Sequence, residues 1–176
     1  QGLSLGYVFV FFQMMFAATA VTIFAGSMSE RTRLLPLQIA SIISIVLIFP
    51  VYGHWVWGDL FLEQQTLLSG LRFLDFAGAT VVHTTAGFIS LAGLIVVGKR
   101  REVKNIRSNV PFAVLGVFIL WFGWFGFNGG NLLNFSTKVG LILLNTNIAA
   151  ACGMLGSLIS HFVITPKNSY LTTFFN

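Results

Sequence analysis

Asp75-Phe-Ala-Gly-Ala-Thr-Val-Val-His83-Thr-Thr-Ala-Gly87 leads into apolar sequence that meets no further charge until Lys99. A helix rises about 1.5 Å per residue, so a helix counted from Asp75 carries His83 roughly 12 Å inward. The hydrocarbon core of a bilayer is about 30 Å thick, which predicts an imidazole near its midplane. An ionisable group at that depth is costly unless it faces a protein interior or a cavity, which makes His83 a candidate functional residue. Its neighbours Thr84, Thr85, Ala86 and Gly87 are small or weakly polar and suit a lined cavity. The competing reading is an imidazole hydrogen-bonded to a neighbouring helix.

The rest of the chain agrees with a membrane setting. Hydrophobic residues make up 56% and charged residues 9% of the 176, whereas an ordinary soluble domain carries about 25% charge. Too few charges remain to cover a water-facing surface. Five runs lack any Asp, Glu, Lys or Arg, lying between Gln1 and Ser29, Leu34 and Gly58, Phe76 and Gly98, Ser108 and Thr137, and Val139 and Pro166. A span needs about 20 mostly apolar residues, which predicts core spans at roughly 3–26, 35–55, 77–97, 110–128 and 140–163. None of the runs alternates apolar and polar residues as a transmembrane strand would. The expected fold class is therefore an all-α integral membrane protein with five transmembrane helices.

The basic residues orient it. Arg31, Arg33, Lys99, Arg100, Arg101, Lys104, Arg107 and Lys167 fall on one side, and Arg72 and Lys138 on the other. The richer side should be cytoplasmic, which puts the 59–75 loop and the start of the chain outside. The net charge of +5 thus reflects topology and gives no reason to expect nucleic acid. Cys152 is alone in an apolar run, so no intrachain disulfide or cysteine metal cluster is expected. The chain opens on Gln1 inside a span and stops at Leu-Thr-Thr-Phe-Phe-Asn176, which reads as a further span beginning. The expectation is one part of a larger membrane protein.

Several residues have both a plain and a sharper reading. Asp75 suits an N-cap, its carboxylate accepting the free amides of a first helical turn; the alternative is a direct ligand for a cation. His54 and His161 lie near span ends, where structural roles are expected. Trp55 and Trp57, in Gly53-His-Trp-Val-Trp-Gly58, suit an aromatic belt at the headgroup level, or a cation–π face, for which Trp is the best ring. Phe16 and Phe127 would read as core or lipid-facing among the 19 Phe. The Gly and Asn residues of Phe125-Gly-Phe127-Asn-Gly-Gly-Asn131 permit turns that leave carbonyls and amides exposed, at a pore entrance or an ordinary helix end. Ala149-Ala-Ala-Cys-Gly153 reads as a small-residue packing face. No phosphate-cradling loop, nucleophile–base pair or carboxylate pair suggests an enzyme, and no cofactor or metal is expected.

Six motifs in order along the chain resemble the ammonium transporter (Amt) family of the Amt/Rh superfamily. They are Ala25-Gly-Ser-Met-Ser-Glu-Arg31, His54-Trp-Val-Trp-Gly58, Asp75 through His83, Gly98-Lys-Arg100, Gly123-Trp-Phe-Gly-Phe-Asn128 and Asn145-Thr146. The resemblance implies the third to seventh spans of an eleven-span fold. Residues 1–176 would then be a partial transmembrane domain of a homotrimer in the cell (inner) membrane. It also implies ammonium/ammonia as the transported species and membrane lipids and a cytoplasmic regulatory protein as partners. By residue, Phe16, Trp57 and Asn131 match the external ammonium-recruitment site, Phe16 and Phe127 the stacked gate beneath it, and His83 the first of two pore histidines. Asp75 matches the acidic residue that supports the site indirectly. Asn131 stands where many members carry serine, and Ala79 where many carry Gly; the second pore histidine belongs to a later span. A signalling relative that senses ammonium without conducting it is the alternative function.

Overall fold

The computed structural model describes residues 2–60, 65–100 and 109–164. Outside them lie Arg101, Lys104, Arg107 and Lys167 of the basic side, and the apolar tail read as the start of a further span. The described secondary structure is helical, and five helices are long and apolar enough to cross a membrane. We label them α1 (Gly2–Met28), α2 (Leu34–Trp57), α3 (Ala79–Val97), α4 (Val110–Gly129) and α5 (Lys138–Ile164). Each coincides with a predicted span, the ends differing by a few residues. The chain divides into two compact units, Gln1–Lys104 with α1 to α3 and Asn105–Asn176 with α4 and α5.

In the first unit the core is a seam between α1 and α3. Phe16, Ala20, Phe24 and Met28 are buried on α1, and Val82, Ala86 and Ser90 on α3. Both sets recur every four residues, so each helix offers one row of side chains to the other. Gly93 continues the α3 row: a Cβ there would lie 2.9 Å from Met28 Sδ and 3.2 Å from Phe24 Cε2. At the Arg31 end the seam is closed by polar contacts. Arg31 Nη1 donates to the Gly98 carbonyl at 2.6 Å, and Arg100 pairs with Glu30 at 3.3 Å across an exposed surface.

Two of these helices contain widened turns. In α2, residues Ser44–Ile48 form a π turn just ahead of Pro50. Proline lacks an amide and its ring crowds the carbonyl four residues back, so a wider turn lets the helix run on through it. In α3, residues Ala79–Thr84 form a second π turn, begun by Gly78 in the left-handed region at φ 86°. The Gly78 carbonyl accepts from the amides of both Val82, at 2.9 Å, and His83, at 3.1 Å.

That second turn changes the helical count to His83. The chain from Asp75 to Gly78 is a bend, and the helix begins at Ala79. The helical rise to His83 is therefore about 6 Å, half the value obtained by counting from Asp75. The ring lies toward the Asp75 end of α3.

In the second unit, the Asn109 side chain caps α4 by accepting the Phe112 amide at 3.3 Å, with proline in the first turn. That is the position proline tolerates, since the first amides have no partner within the helix. After Gly129 the chain tightens through Gly130–Leu132, and Leu133 turns it at φ 54°.

Gly78 is where backbone conformation and space both exclude a side chain, since a Cβ would lie 2.6 Å from Val82 Cγ2. Gly78→Ala is expected to destabilise the protein by about 2–4 kcal/mol, from a left-handed non-glycine residue and forced overpacking. Gly87→Ala, where a Cβ meets nothing within 4 Å, is the control and should change little. Thermal midpoints of the two variants in detergent check this; equal midpoints would contradict it.

Candidate functional site

Asp75 is buried at the head of α3. Its Oδ1 accepts the amides of Gly78 at 2.8 Å and Ala79 at 2.9 Å. Oδ2 accepts the Thr80 amide at 2.8 Å, the Thr80 hydroxyl at 2.6 Å and the Val81 amide at 2.9 Å. The first turn of a helix leaves such amides without partners, and its dipole favours a negative charge there. One carboxylate meets both needs. Burial pushes the Asp75 carboxyl up, but the Thr80 hydroxyl and the amides of Val81, Thr80 and Gly78 outweigh it and hold the group below its ordinary value. With both oxygens engaged in five such bonds, the side chain has the geometry of a cap.

The same residue reaches the aromatic end of α2 through its backbone. Trp57 Nε1 donates to the Asp75 carbonyl at 2.6 Å, which fixes the rotation of the indole. Trp57 also stands 5.9 Å from Phe16, centroid to centroid, with the rings tilted by 39°. Phe16 is 1% exposed and meets Phe12 edge-on at 4.6 Å. Trp57 is half-buried, so of the two rings it offers more surface to a cation. The return loop is moored on the neighbouring residue: the Trp55 carbonyl accepts the Thr66 hydroxyl at 2.8 Å and the Leu68 amide at 3.1 Å.

His83 is bonded to the turn that the cap creates. Its Nδ1 lies 3.0 Å from the Gly78 carbonyl oxygen. A carbonyl only accepts, so Nδ1 carries the proton and Nε2 is the acceptor of the neutral ring. The π turn makes this contact possible, because it brings a residue five places on over the carbonyl. The hydroxyls of Thr84 and Thr85 fill the widened ladder in the same register, donating to the carbonyls of Ala79 and Thr80 at 3.1 Å each.

Phe127 and Asn131 belong to the second unit. Asn131 Nδ2 donates to the Phe127 carbonyl at 2.6 Å, which orients the amide and presents Oδ1 as an acceptor. The Phe127 ring rests on Trp124 at 5.5 Å, tilted by 37°. A cavity of about 550 Å³ opens against α4 and α5, with Trp121, Trp124, Asn128, Thr146, Ala150 and Gly153 among its lining residues.

The first unit thus brings Phe16, Trp57, Asp75 and His83 into one bonded and packed series. Two of its participants, Gly78 and Thr80, were not singled out from sequence. Gly78 had a legible signal, a glycine three residues after a capping acid. Asn128 closes one of the family motifs, but its bond to Thr146, 18 residues away, had no signal. Among the described residues no group of three or more His, Cys, Asp and Glu side chains could hold a metal ion.

A model of the Ammonium Transporter Family matches residues 2–174. Ammonium transporter Amt2 of Archaeoglobus fulgidus is 43% identical over 156 residues, which is 81% of this chain and 33% of that protein. The ammonium transporter of Bacillus subtilis is 36% identical over 164 residues, 93% of this chain and 39% of its own length. Among solved structures, one described as a sensor Amt protein superposes with a TM-score of 0.86 at 44% identity, covering 96% of this chain and 44% of that one. A mutant of Mep2 from Candida albicans gives 0.76 at 34% identity, covering 92% and 36%. The chain spans about a third of the length of the curated relatives it matches.

The lowered Asp75 carboxyl gives acid stability a defined sign. A depressed folded-state value stabilises the protein above the unfolded carboxyl range, and that contribution is lost as pH falls through the folded value, which lies below 3.8. Stability should be level near neutrality and fall on acidification. Asp75→Asn places an amide NH₂ against the donors of Thr80 or Val81, and should cost about 3 kcal/mol at neutral pH through unsatisfied buried groups. Melting curves from neutral pH into the acid range test both. A variant as stable as the parent, with the same acid profile, would remove the capping role.

Proposed function

Because the chain belongs to the ammonium transporter family, we propose that the protein moves ammonium or ammonia across a membrane. The path would be a hydrophobic, histidine-lined pore with an external site that recruits the cation. The observation that supports this reading most is the bonded series Trp57–Asp75–Gly78–His83, which couples an aromatic cation-binding surface to an imidazole through one capped turn.

In this reading Trp57 and Phe16 attract the cation by cation–π contact, and Asn131 Oδ1 accepts one of its hydrogens. Ammonium can satisfy both kinds of partner, being small, positively charged and a donor in every direction. The family resemblance alone assigns Phe16 and Phe127 to the gate. Passage beyond it strips water from the ion, and a low-dielectric interior disfavours the charged form. The ion gives up its proton near the gate, and the His83 ring, with Nδ1 donating to Gly78, takes that proton on Nε2 and passes it on, then accepts a hydrogen bond there from the neutral amine. Asp75 supports the site from behind without touching the ion. Assembly as a homotrimer in the cell (inner) membrane, contact with lipid and control by a cytoplasmic protein belong to the same proposal.

A second reading, an ammonium sensor that binds without conducting, is favoured by the 44% identity to a structure described as a sensor Amt protein and by asparagine at position 131. Ammonium-induced currents in membranes containing the intact protein separate the two: binding without current would select the sensor. For transport, Trp57→Leu should raise half-saturation about five- to tenfold by removing a contact worth roughly 1 kcal/mol. His83→Ala should change rate or ion selectivity. A His83→Ala protein with the parent's current and selectivity would end the role assigned to the imidazole.

A further inference from the structure

The Asn145-Thr146 motif takes no part in the mechanism above, yet Thr146 is buried at 7% exposure on a helix whose described side chains are otherwise largely exposed. Its hydroxyl donates to the Ile142 carbonyl at 2.7 Å, which uses its one hydrogen. The contact with Asn128 at 2.9 Å must therefore run from Asn128 Nδ2 to Thr146 Oγ1. That settles the orientation of the Asn128 amide and ties α4 to α5. Asn128 is the residue directly after Phe127. On its other side the Phe127 carbonyl is held by Asn131 Nδ2 at 2.6 Å, and the ring leans on Trp124. Ile142, Thr146, Asn128, Phe127 and Asn131 thus form a chain of attachments fixing the height and rotation of one phenylalanine near the end of α4.

We propose that Thr146 is a positioning residue for Phe127, holding through Asn128 the gate ring that discriminates among permeating amines. This rests on the gate reading of Phe127 in the transport proposal. The physical reason for a bond here is that small-residue packing between membrane helices sets separation but leaves sliding and rotation soft. A directional hydrogen bond in an apolar setting fixes both, because each displacement leaves a buried amide without its acceptor.

The test uses the intact protein with 4-fluorophenylalanine at position 127 and three variants. Thr146→Val removes the acceptor, Thr146→Ser keeps it, and Asn128→Leu combined with Thr146→Val removes both partners, so no orphaned donor threatens folding. Fluorine NMR reports the ring whether or not the protein conducts, and the ratio of methylammonium to ammonium flux reports the gate. Thr146→Val and the double variant should shift or broaden the fluorine line and change the flux ratio about fivefold, the scale of one lost hydrogen bond. Thr146→Ser should match the parent in both. Parent-like fluorine lines in both Thr146→Val and the double variant would overturn the proposal. So would an altered line with an unchanged flux ratio in a conducting protein. A parent that conducts neither amine would instead refute the transport reading; the fluorine lines would still decide whether Thr146 positions the ring.

Discussion

Five donors converge on the carboxylate of Asp75, and the first unit is arranged around that convergence. A helix that starts in or near an apolar phase has amides that water cannot serve, and each would be expensive to leave unpaired. Gathering them on one carboxylate requires the chain to double back sharply, and Gly78 at φ 86° provides the bend. The bend turns the Gly78 carbonyl toward the helix it has just begun, where a widened turn gives it the His83 ring. The Asp75 carbonyl, pointing the other way, takes the Trp57 indole. One capping solution therefore sets the orientation of two rings on two different helices.

The polar side chains along the spans obey the same constraint. Thr19, Thr22, Ser44, Thr146 and Ser160 each return their hydroxyl hydrogen to the carbonyl four residues back on their own helix. Thr84 and Thr85 reach five residues back, because the π turn has moved the carbonyls out of the usual register. Local bonding lets a helix carry hydroxyls in an apolar setting without a second helix. Asn128 is different: its amide needs a partner from α5, so it specifies a particular pairing of helices.

The spans were legible because charge is excluded from long runs, a signal that survives without any knowledge of packing. Their ends shifted by a few residues, since bends such as Gly78 ahead of α3 and turns such as Gly130–Leu132 are local geometry. Asp75 was legible as a cap because acid followed by small residues fits no other local need so well. The count from Asp75 to His83 assumes an unbroken helix, whereas Gly78 marks a bend and the helix starts at Ala79. Pro50 hinted at the first widened turn; the run of threonines around His83 gave no comparable warning of the second. Phe16 was invisible among 19 phenylalanines by composition, and only the resemblance to a family singled it out. Its contact with Trp57 is tertiary. The Asn128–Thr146 bond was illegible for the same reason.

The Asp75 carboxylate holds the turn whose backbone carbonyls meet both the Trp57 indole and the His83 imidazole. Nitrogen-15 solid-state NMR of the intact protein in lipid, with labelled tryptophan and histidine, observes both rings at once. The expected result is a hydrogen-bonded Trp57 Nε1–H and a His83 ring protonated at Nδ1, with both signals moving together in Asp75→Asn. A His83 ring protonated only at Nε2, or ring signals unmoved by Asp75→Asn, would contradict it.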